Sequence, residues 1–366
     1  MKTLTMGIAG SAKNTGKTTT TRALLEHFQG SGVTLGLTSI GYDGESVDNV
    51  TGLPKPRVYL EAGALVAVAE GCLPAGTARV KVIDRTDIAT PLGKIVCGRV
   101  VQEGLLVLAG PNQSRHLRVI RDWMILQGAG LVMVDGALNR IAPMVETDGF
   151  ILCTGAAYTT DLERLALETR SLEALCSLQE VREIPAGAVN KGKSVIWDQG
   201  GRVMAELPPS LLDPDSIKML SGFMVEAAGF YCPGVIASRC LELLGEMPFS
   251  PGISFVFEDP VKLLLSGSTI TALGLVEKVT AGGGRAGYRR PLPLVAVTVN
   301  PFYPCYRYET SDYCPAYVDG EQLLSKIKAC LDVPVFDIVR EGPEELGRTI
   351  KAFASGGGHK DNGVGK

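Results

Sequence analysis

Lys17 and Thr18 close a turn whose residue types and spacing suit a chain of phosphates: Met6-Gly7-Ile8-Ala9-Gly10-Ser11-Ala12-Lys13-Asn14-Thr15-Gly16-Lys17-Thr18. A short apolar strand runs into a glycine-bearing turn, and the turn ends in Gly-Lys-Thr where a helical pattern begins. Such a turn points successive backbone N–H groups inward, and the helix N-terminus adds positive potential. In this reading Lys17 reaches the β- and γ-phosphates of a nucleoside triphosphate and the Thr18 hydroxyl holds Mg²⁺. Ser11, Lys13, Asn14, Thr15, Gly16 and Thr19 complete the expected nucleotide contacts. Five residues lie between Gly10 and Gly16, one more than in the usual phosphate-binding loop, so either Ser11 takes the first-glycine place or the loop is longer. Lys13 stands four residues before Lys17, which is not the spacing of a lysine that crosses a dimer interface.

Asp135 is the next candidate. Leu131-Val132-Met133-Val134-Asp135-Gly136 is an apolar strand with a carboxylate at its carboxyl end, downstream of Gly-Lys-Thr. That is the Walker B arrangement, in which the acid binds Mg²⁺ directly or through water; a strand-terminal Asp that caps the next turn is the alternative. Asp43 and Glu45 follow the second strand, and ligands of an open parallel sheet gather outside the carboxyl ends of its strands. Asp43 is therefore a candidate second Mg²⁺ ligand or water-orienting group, with a solvated Asp-Gly turn as the alternative. The catalytic set is Lys17, Asp135 and Asp43, and the metal set is Thr18, Asp135 and Asp43. Asn139 and Arg140 sit where a switch segment would answer to a γ-phosphate. Lys55 and Arg57, in Pro-Lys-Pro-Arg, suit an anionic substrate, a partner or solvent. Asn190-Lys191 lacks the following carboxylate that would read guanine, because position 193 is Lys193; nothing else favours GTP over ATP.

These residues need a sheet to hold them. The first half alternates strand and helix patterns, the signature of a mostly parallel sheet covered by helices. The expected strands are Thr5–Ala9, Val33–Ile40, Leu131–Gly136 and Phe150–Gly155, with shorter ones near Val58–Leu60, Lys81–Ile83, Gly93–Arg99 and Leu105–Ala109. Thr18–Gln29, His116–Gln127 and Asp161–Leu175 read as helices. Beyond about residue 180 the texture changes. Ser194–Met204 is a hairpin pattern about Gly200-Gly201. Four apolar runs follow, at Gly222–Glu226, Ile253–Asp259, Leu294–Asn300 and Pro334–Asp337, with helical patterns at Gly234–Leu244 and Gly320–Leu331. The expected organisation is an α/β chain: a P-loop NTPase domain over 1–180, a second, smaller α/β domain over 181–354 and a disordered tail over 355–366. Asn300-Pro301-Phe302-Tyr303-Pro304-Cys305-Tyr306-Arg307-Tyr308 is dense in aromatics and prolines, fitting either a protein contact or a packed corner. Cys305 and Cys314 flank it without metal spacing.

Composition narrows the function classes. The 366 residues are 45% hydrophobic and 20% charged, a globular balance, and exceed one ordinary domain. A formal net charge of −3 without a Lys/Arg run argues against nucleic acid or an anionic membrane as partner. No apolar stretch reaches the roughly 18 residues of a membrane helix, and no charged-then-apolar signal pattern opens the chain. The nine cysteines form no C-x-x-C and read as reduced thiols of a cytoplasmic protein. With three scattered histidines, a histidine-rich metal site or haem is not expected.

The loop's longer spacing resembles that of dethiobiotin-synthetase-like NTPases. A wider resemblance rests on that loop together with Gly41-Tyr42-Asp43-Gly44-Glu45, Pro54-Lys55-Pro56-Arg57, Thr90-Pro91-Leu92-Gly93, Ala109-Gly110-Pro111, Val134-Asp135-Gly136-Ala137-Leu138-Asn139-Arg140, Thr154-Gly155-Ala156 and Thr298-Val299-Asn300-Pro301 in order. In these the chain resembles, over all but its glycine-rich tail, the KamB-type proteins encoded beside lysine 5,6-aminomutase and ornithine 4,5-aminomutase in amino-acid-fermenting anaerobes. The resemblance implies a reactivase subunit that uses Mg²⁺ and ATP. Its implied partners are an aminomutase dependent on adenosylcobalamin and pyridoxal phosphate, and a MutS-like ATPase subunit; a homodimer is compatible with it. No cobalamin-binding Asp-x-His-x-x-Gly is present, so the chain would serve a cobalamin enzyme without holding that cofactor. Opening a tightly closed mutase to release damaged cobalamin costs several kcal/mol, which nucleotide-dependent affinity for two conformations can supply. The rival readings are an ATP-dependent ligase or kinase acting on a small carboxylic acid, and a nucleotide-binding scaffold with negligible turnover.

Overall fold

A computed structural model describes residues 3–41, 57–138, 141–185, 192–307 and 312–356. In chain order the first strands and helices are β1 (Leu4–Gly10), α1 (Lys17–Phe28), β2 (Leu35–Ser39), β3 (Val58–Leu60), β4 (Leu65–Ala69), β5 (Arg79–Thr90), β6 (Gly93–Gln102), β7 (Gly104–Leu106), α2 (Ser114–Leu126), β8 (Leu131–Ala137), β9 (Gly149–Gly155) and α3 (Leu162–Cys176). The later strands are β10 (Ser194–Trp197), β11 (Val203–Leu207), β12 (Gly229–Cys232), β13 (Ser254–Phe257), β14 (Arg285–Tyr288), β15 (Leu294–Asn300), β16 (Phe302–Arg307), β17 (Asp312–Tyr317) and β18 (Val335–Phe336). The result is a mixed α/β fold with one large, mostly parallel sheet and several smaller ones.

The large sheet has nine strands in the order β18-β15-β9-β1-β8-β2-β4-β6-β5. From β18 to β4 every pairing is parallel, and β4·β6 and β6·β5 are antiparallel. Helices on the faces of a parallel sheet bury both sides of its strands, which is why β1 (LTMGIAG) and β9 (GFILCTG) are apolar runs buried throughout. In α1, Thr20, Thr21, Leu24, Leu25 and Phe28 form the buried stripe, and Gly30 at φ 68° follows its end.

The compact units are not the expected 1–180 and 181–354. Among the described residues, those up to Leu165 and from Leu294 onward form one unit, and Ala166–Pro293 the other. The reason is pairing: β15 lies beside β9 in parallel register, with Val299 opposite Thr154 and Asn300 opposite Gly155, and β18 adds to its far side. A fully buried parallel strand carries no mark of which neighbours it will take, so its sequence position misassigned it. The Gly222–Glu226 run also departs from a strand pattern: Ser221–Met224 is a short helix and the strand follows at Gly229–Cys232. Within the proline-rich aromatic run, Phe302–Arg307 forms β16, paired antiparallel with β17. The tail beyond residue 356 lies outside the described residues.

In the unit Ala166–Pro293 the sheet order is β11-β10-β12-β13-β14, with β12, β13 and β14 parallel and the expected Ser194–Met204 hairpin at its edge. Phe230, Phe255, Phe257 and Tyr288 are fully buried and meet as tilted ring pairs at 5.2–6.4 Å. At the carboxyl ends of these strands Arg289 grips Glu258 with Nε to Oε2 at 2.7 Å and Nη2 to Oε1 at 2.6 Å. Tyr231 Oη donates to the same Oε2 at 2.6 Å. Burial pushes the Glu258 carboxyl up, but the hydrogen bonds from Arg289 and Tyr231 and the guanidinium charge outweigh it and hold the group below its ordinary value.

Candidate functional site

The Gly10–Thr18 segment lies between the carboxyl end of β1 and the first turn of α1, and three neighbouring elements shape it. Ser11 N donates to Cys153 O at 2.9 Å and Ser11 Oγ to Thr154 Oγ1 at 2.9 Å, both on β9. The Thr15 hydroxyl donates to Ala12 O at 2.9 Å and is 1% exposed, so it closes the loop from within. Asn14 and Gly16 take left-handed conformations, φ 65° and 90°. At Gly16 a side chain would also come up against Asn300, 3.3 Å from its Cβ. Asn300 holds the loop directly: its Nδ2 donates to Asn14 O at 2.8 Å, while its Oδ1 accepts from Phe302 N at 3.2 Å. Thr20 N donates to Gly16 O at 2.9 Å. The N–H groups of Lys17, Thr18 and Thr19 consequently have no acceptor one turn back.

The charged pair lies against this loop. Adjacent parallel strands place Ile8 opposite Asp135, so the carboxylate emerges beside the end of β1. Lys17 Nζ is 2.9 Å from Asp135 Oδ1, with the two side chains 29% and 12% exposed. The contact is an ion pair without hydrogen-bond alignment, since the buried Oδ1 accepts no hydrogen bond. Burying a carboxylate oxygen is costly unless a cation or donor engages it, and here the Lys17 ammonium is that cation. The main chain of Asp135 is also tied, its carbonyl accepting from Ile40 N at 2.6 Å. Beyond it, Gly110 N donates to Gly41 O at 3.2 Å and Gly41 N to Pro111 O at 3.1 Å, anchoring the exit of β2.

The structure therefore brings Lys17, Asp135, Ser11, Asn14, Thr15 and Gly16 together around one loop. Thr18, half-buried, stands next to Lys17 at the start of α1, while Lys13 and Thr19 are exposed. Asp43, Glu45, Lys55, Asn139, Arg140, Asn190 and Lys191 lie outside the described residues, and Arg57 is exposed just before β3. Sequence reasoning quoted Asn300 within a motif without giving it a task. It also overlooked the buried layer beneath the loop, where Thr20 Oγ1 and Thr298 Oγ1 share a 3.0 Å hydrogen bond and Cys153 Sγ donates to Thr20 Oγ1 at 3.6 Å. Burial pushes the Cys153 thiol up to about 11, partly offset by its hydrogen bonding with Thr298 and Thr20. The signal for Asn300 was the one that exposed Asp135: a polar residue ending an apolar strand.

Chemically, the loop offers N–H donors and an ammonium to an anion, and a carboxylate with a hydroxyl two positions from Gly16 to a hard cation. Oxygen donors of this kind fit Mg²⁺, and the Asp135 carboxylate, paired with Lys17 but accepting no hydrogen bond at Oδ1, is the group that would take it. Among the described residues no group of three or more His, Cys, Asp or Glu gathers to hold a metal, so a cation here would rely on Asp135, Thr18 and the anion itself. No helix among the described residues is long and apolar enough to cross a membrane. In comparison with known proteins the chain matches no family model, no curated protein and no solved structure.

Proposed function

We propose that the chain is a P-loop nucleoside triphosphatase that binds Mg–ATP at Gly10–Thr18 and couples it to a partner protein. The observation that carries this reading is the Lys17–Asp135 pair at 2.9 Å, set between a strand end and a helix N-terminus, with Asp135 Oδ1 accepting no hydrogen bond besides that ion pair. Lys17 is the phosphate-binding amine, and the N–H groups of Gly16, Lys17 and Thr18 line the phosphates. Thr18 and Asp135 hold Mg²⁺, with Asp43 as a further ligand; the metal neutralises charge on the phosphates. ATP is preferred to GTP because the chain lacks the carboxylate that reads guanine.

The partner follows from the motif resemblance: an adenosylcobalamin- and pyridoxal-phosphate-dependent aminomutase, reactivated with the help of a MutS-like ATPase subunit in the cytoplasm. The acidic balance of the chain supports a protein target over nucleic acid. The test is recovery of mutase activity after inactivation by turnover or hydroxocobalamin, with ATP, Mg²⁺ and free adenosylcobalamin supplied. Recovery that needs this chain and ATP, and fails with Lys17→Ala, supports the reading. ATP turnover stimulated by a small carboxylic acid but by no mutase would replace it with the ligase reading.

A further inference from the structure

The ribbon β16–β17 sets Cys305 directly opposite Cys314. One step along, Pro304 faces Pro315, and because neither proline has an N–H, that pair cannot exchange ladder bonds. At the base of the ribbon Val318 N donates to Pro301 O at 3.0 Å. Hydrogen-bonded and non-hydrogen-bonded pairs alternate along an antiparallel ladder, so both observations place Cys305 and Cys314 in a hydrogen-bonded pair. Their Cα atoms are then about 5.5 Å apart, inside the roughly 4.4–6.8 Å that a disulfide spans, and bonding draws the Cβ atoms in from about 5.5 Å to the roughly 3.5–4.5 Å of a disulfide. Side chains of directly opposed residues leave the ribbon on the same face.

The register that faces the two thiols is pinned from both sides of the ribbon. On the opposite face Phe302 meets Tyr317 at 5.7 Å and Tyr306 meets Tyr313 at 5.0 Å, both edge-on across the strands. On the cysteine face Arg307 grips Asp312 with Nε to Oδ1 at 3.0 Å and Nη2 to Oδ2 at 2.6 Å. Cys305, Cys314 and Cys330 are half-exposed, whereas Cys72, Cys97, Cys153, Cys176, Cys232 and Cys240 are buried, and among the described residues only Cys305 and Cys314 face each other across a strand pair. Access and proximity, two of the requirements for thiol–disulfide exchange, therefore coincide at this pair.

We propose that Cys305 and Cys314 are a reversible dithiol–disulfide site that closes the ribbon when a low-molecular-weight disulfide such as oxidised glutathione is present. One cysteine thiolate attacks a sulfur of the small disulfide, forming a mixed disulfide and releasing one small thiol. The thiolate of the other cysteine attacks the protein sulfur of that mixed disulfide, forming the Cys305–Cys314 bond and releasing the second small thiol. The two protein thiols together lose two electrons and two protons, and the small disulfide becomes two thiols. In a reducing compartment the same exchange runs backward, so the site reports the thiol balance around it.

The experiment uses the full native chain equilibrated across oxidised-to-reduced glutathione ratios, quenched, alkylated after unfolding and digested with trypsin. Cleavage after Arg307 separates the two cysteines, so their bond appears as a linked peptide pair that dithiothreitol splits. The expected result is a fall from nine free thiols to seven, with this link half-formed at a ratio at least tenfold lower than any other cysteine pairing. Cys314→Ser should leave Cys305 as a glutathione adduct with no internal link. Alkylation of both residues across the whole range, or separate glutathione adducts on each without a link, overturns the proposal.

Discussion

Asn300 and Asn14 stand 286 positions apart in the chain, yet the side-chain amide of one donates to the main-chain carbonyl of the other at 2.8 Å. The bond holds Asn14 in its left-handed conformation and ties the loop ahead of α1 to the end of β15. Asn300→Ala should leave the Asn14 carbonyl without this donor, a loss on the order of 1 kcal/mol, and weaken ATP binding about fivefold. Asn300→Asp, which keeps the shape and loses the donor, should do the same. Calorimetry that finds unchanged affinity in both variants would show that the bond shapes no nucleotide site.

Lys17 bears the only ammonium paired with Asp135 among the described contacts, and its proposed phosphate role predicts a large effect. Lys17→Ala should weaken Mg–ATP binding by on the order of 2–4 kcal/mol, because a charge-assisted contact to phosphate is lost. Equal affinities for the two proteins in a calorimeter would end the phosphate-loop reading.

Asp135→Asn separates metal binding from nucleotide binding. The amide keeps the side chain's shape and loses the charge that would hold Mg²⁺ in the proposed site, so nucleotide should still bind while Mg²⁺-dependent hydrolysis disappears. Hydrolysis that continues undiminished at ordinary Mg²⁺ concentration would make Asp135 a structural group and transfer the metal role to Asp43.

The Glu258 cluster gives a pH dependence whose sign follows from its partners. Arg289 and Tyr231 hold this carboxyl below its ordinary value in the folded chain. Its stabilisation is therefore fully present above the unfolded-chain value of about 4.3 and drains away as the pH falls through the lower folded value. Glu258→Gln should destabilise the Ala166–Pro293 unit at pH 7 by about 1.5–3 kcal/mol, and the gap from the parent chain should shrink as the solution is acidified below pH 4. Urea unfolding at a series of pH values measures this; a gap that stays constant would place its origin elsewhere.

The loop, β1, α1, β8 and β9 were legible because each pairs a local signal with a local cause. Gly16 is needed where φ is 90°, and Asp135 closes an apolar strand. Lys17 and Asp135 could be matched from sequence alone because both sit at ends of recognisable elements. Asn300 was harder to see, since its task depends on β15 joining β9, and strand order in a parallel sheet leaves no trace in any one strand. The same blindness set the unit boundary near 180 when the chain returns to the large sheet at Leu294. The Cys305–Cys314 pairing was likewise hidden, because opposition across a ribbon depends on register and not on the interval between the cysteines.

The placement of β15 also bears on synthesis. The segment that shapes the loop around residues 10–18 is made early, but the residue that fastens it, Asn300, is made far later. At about 5–20 residues per second, a nascent chain waits roughly 15–60 s between emergence of the loop and emergence of its fastener. From the synthesis of β9 until that of β15, β9 also lacks its β15 neighbour, so the large sheet stays open along one edge. The loop gains this bond only after β15 has been made, and fragments that stop short of β15 would lack it.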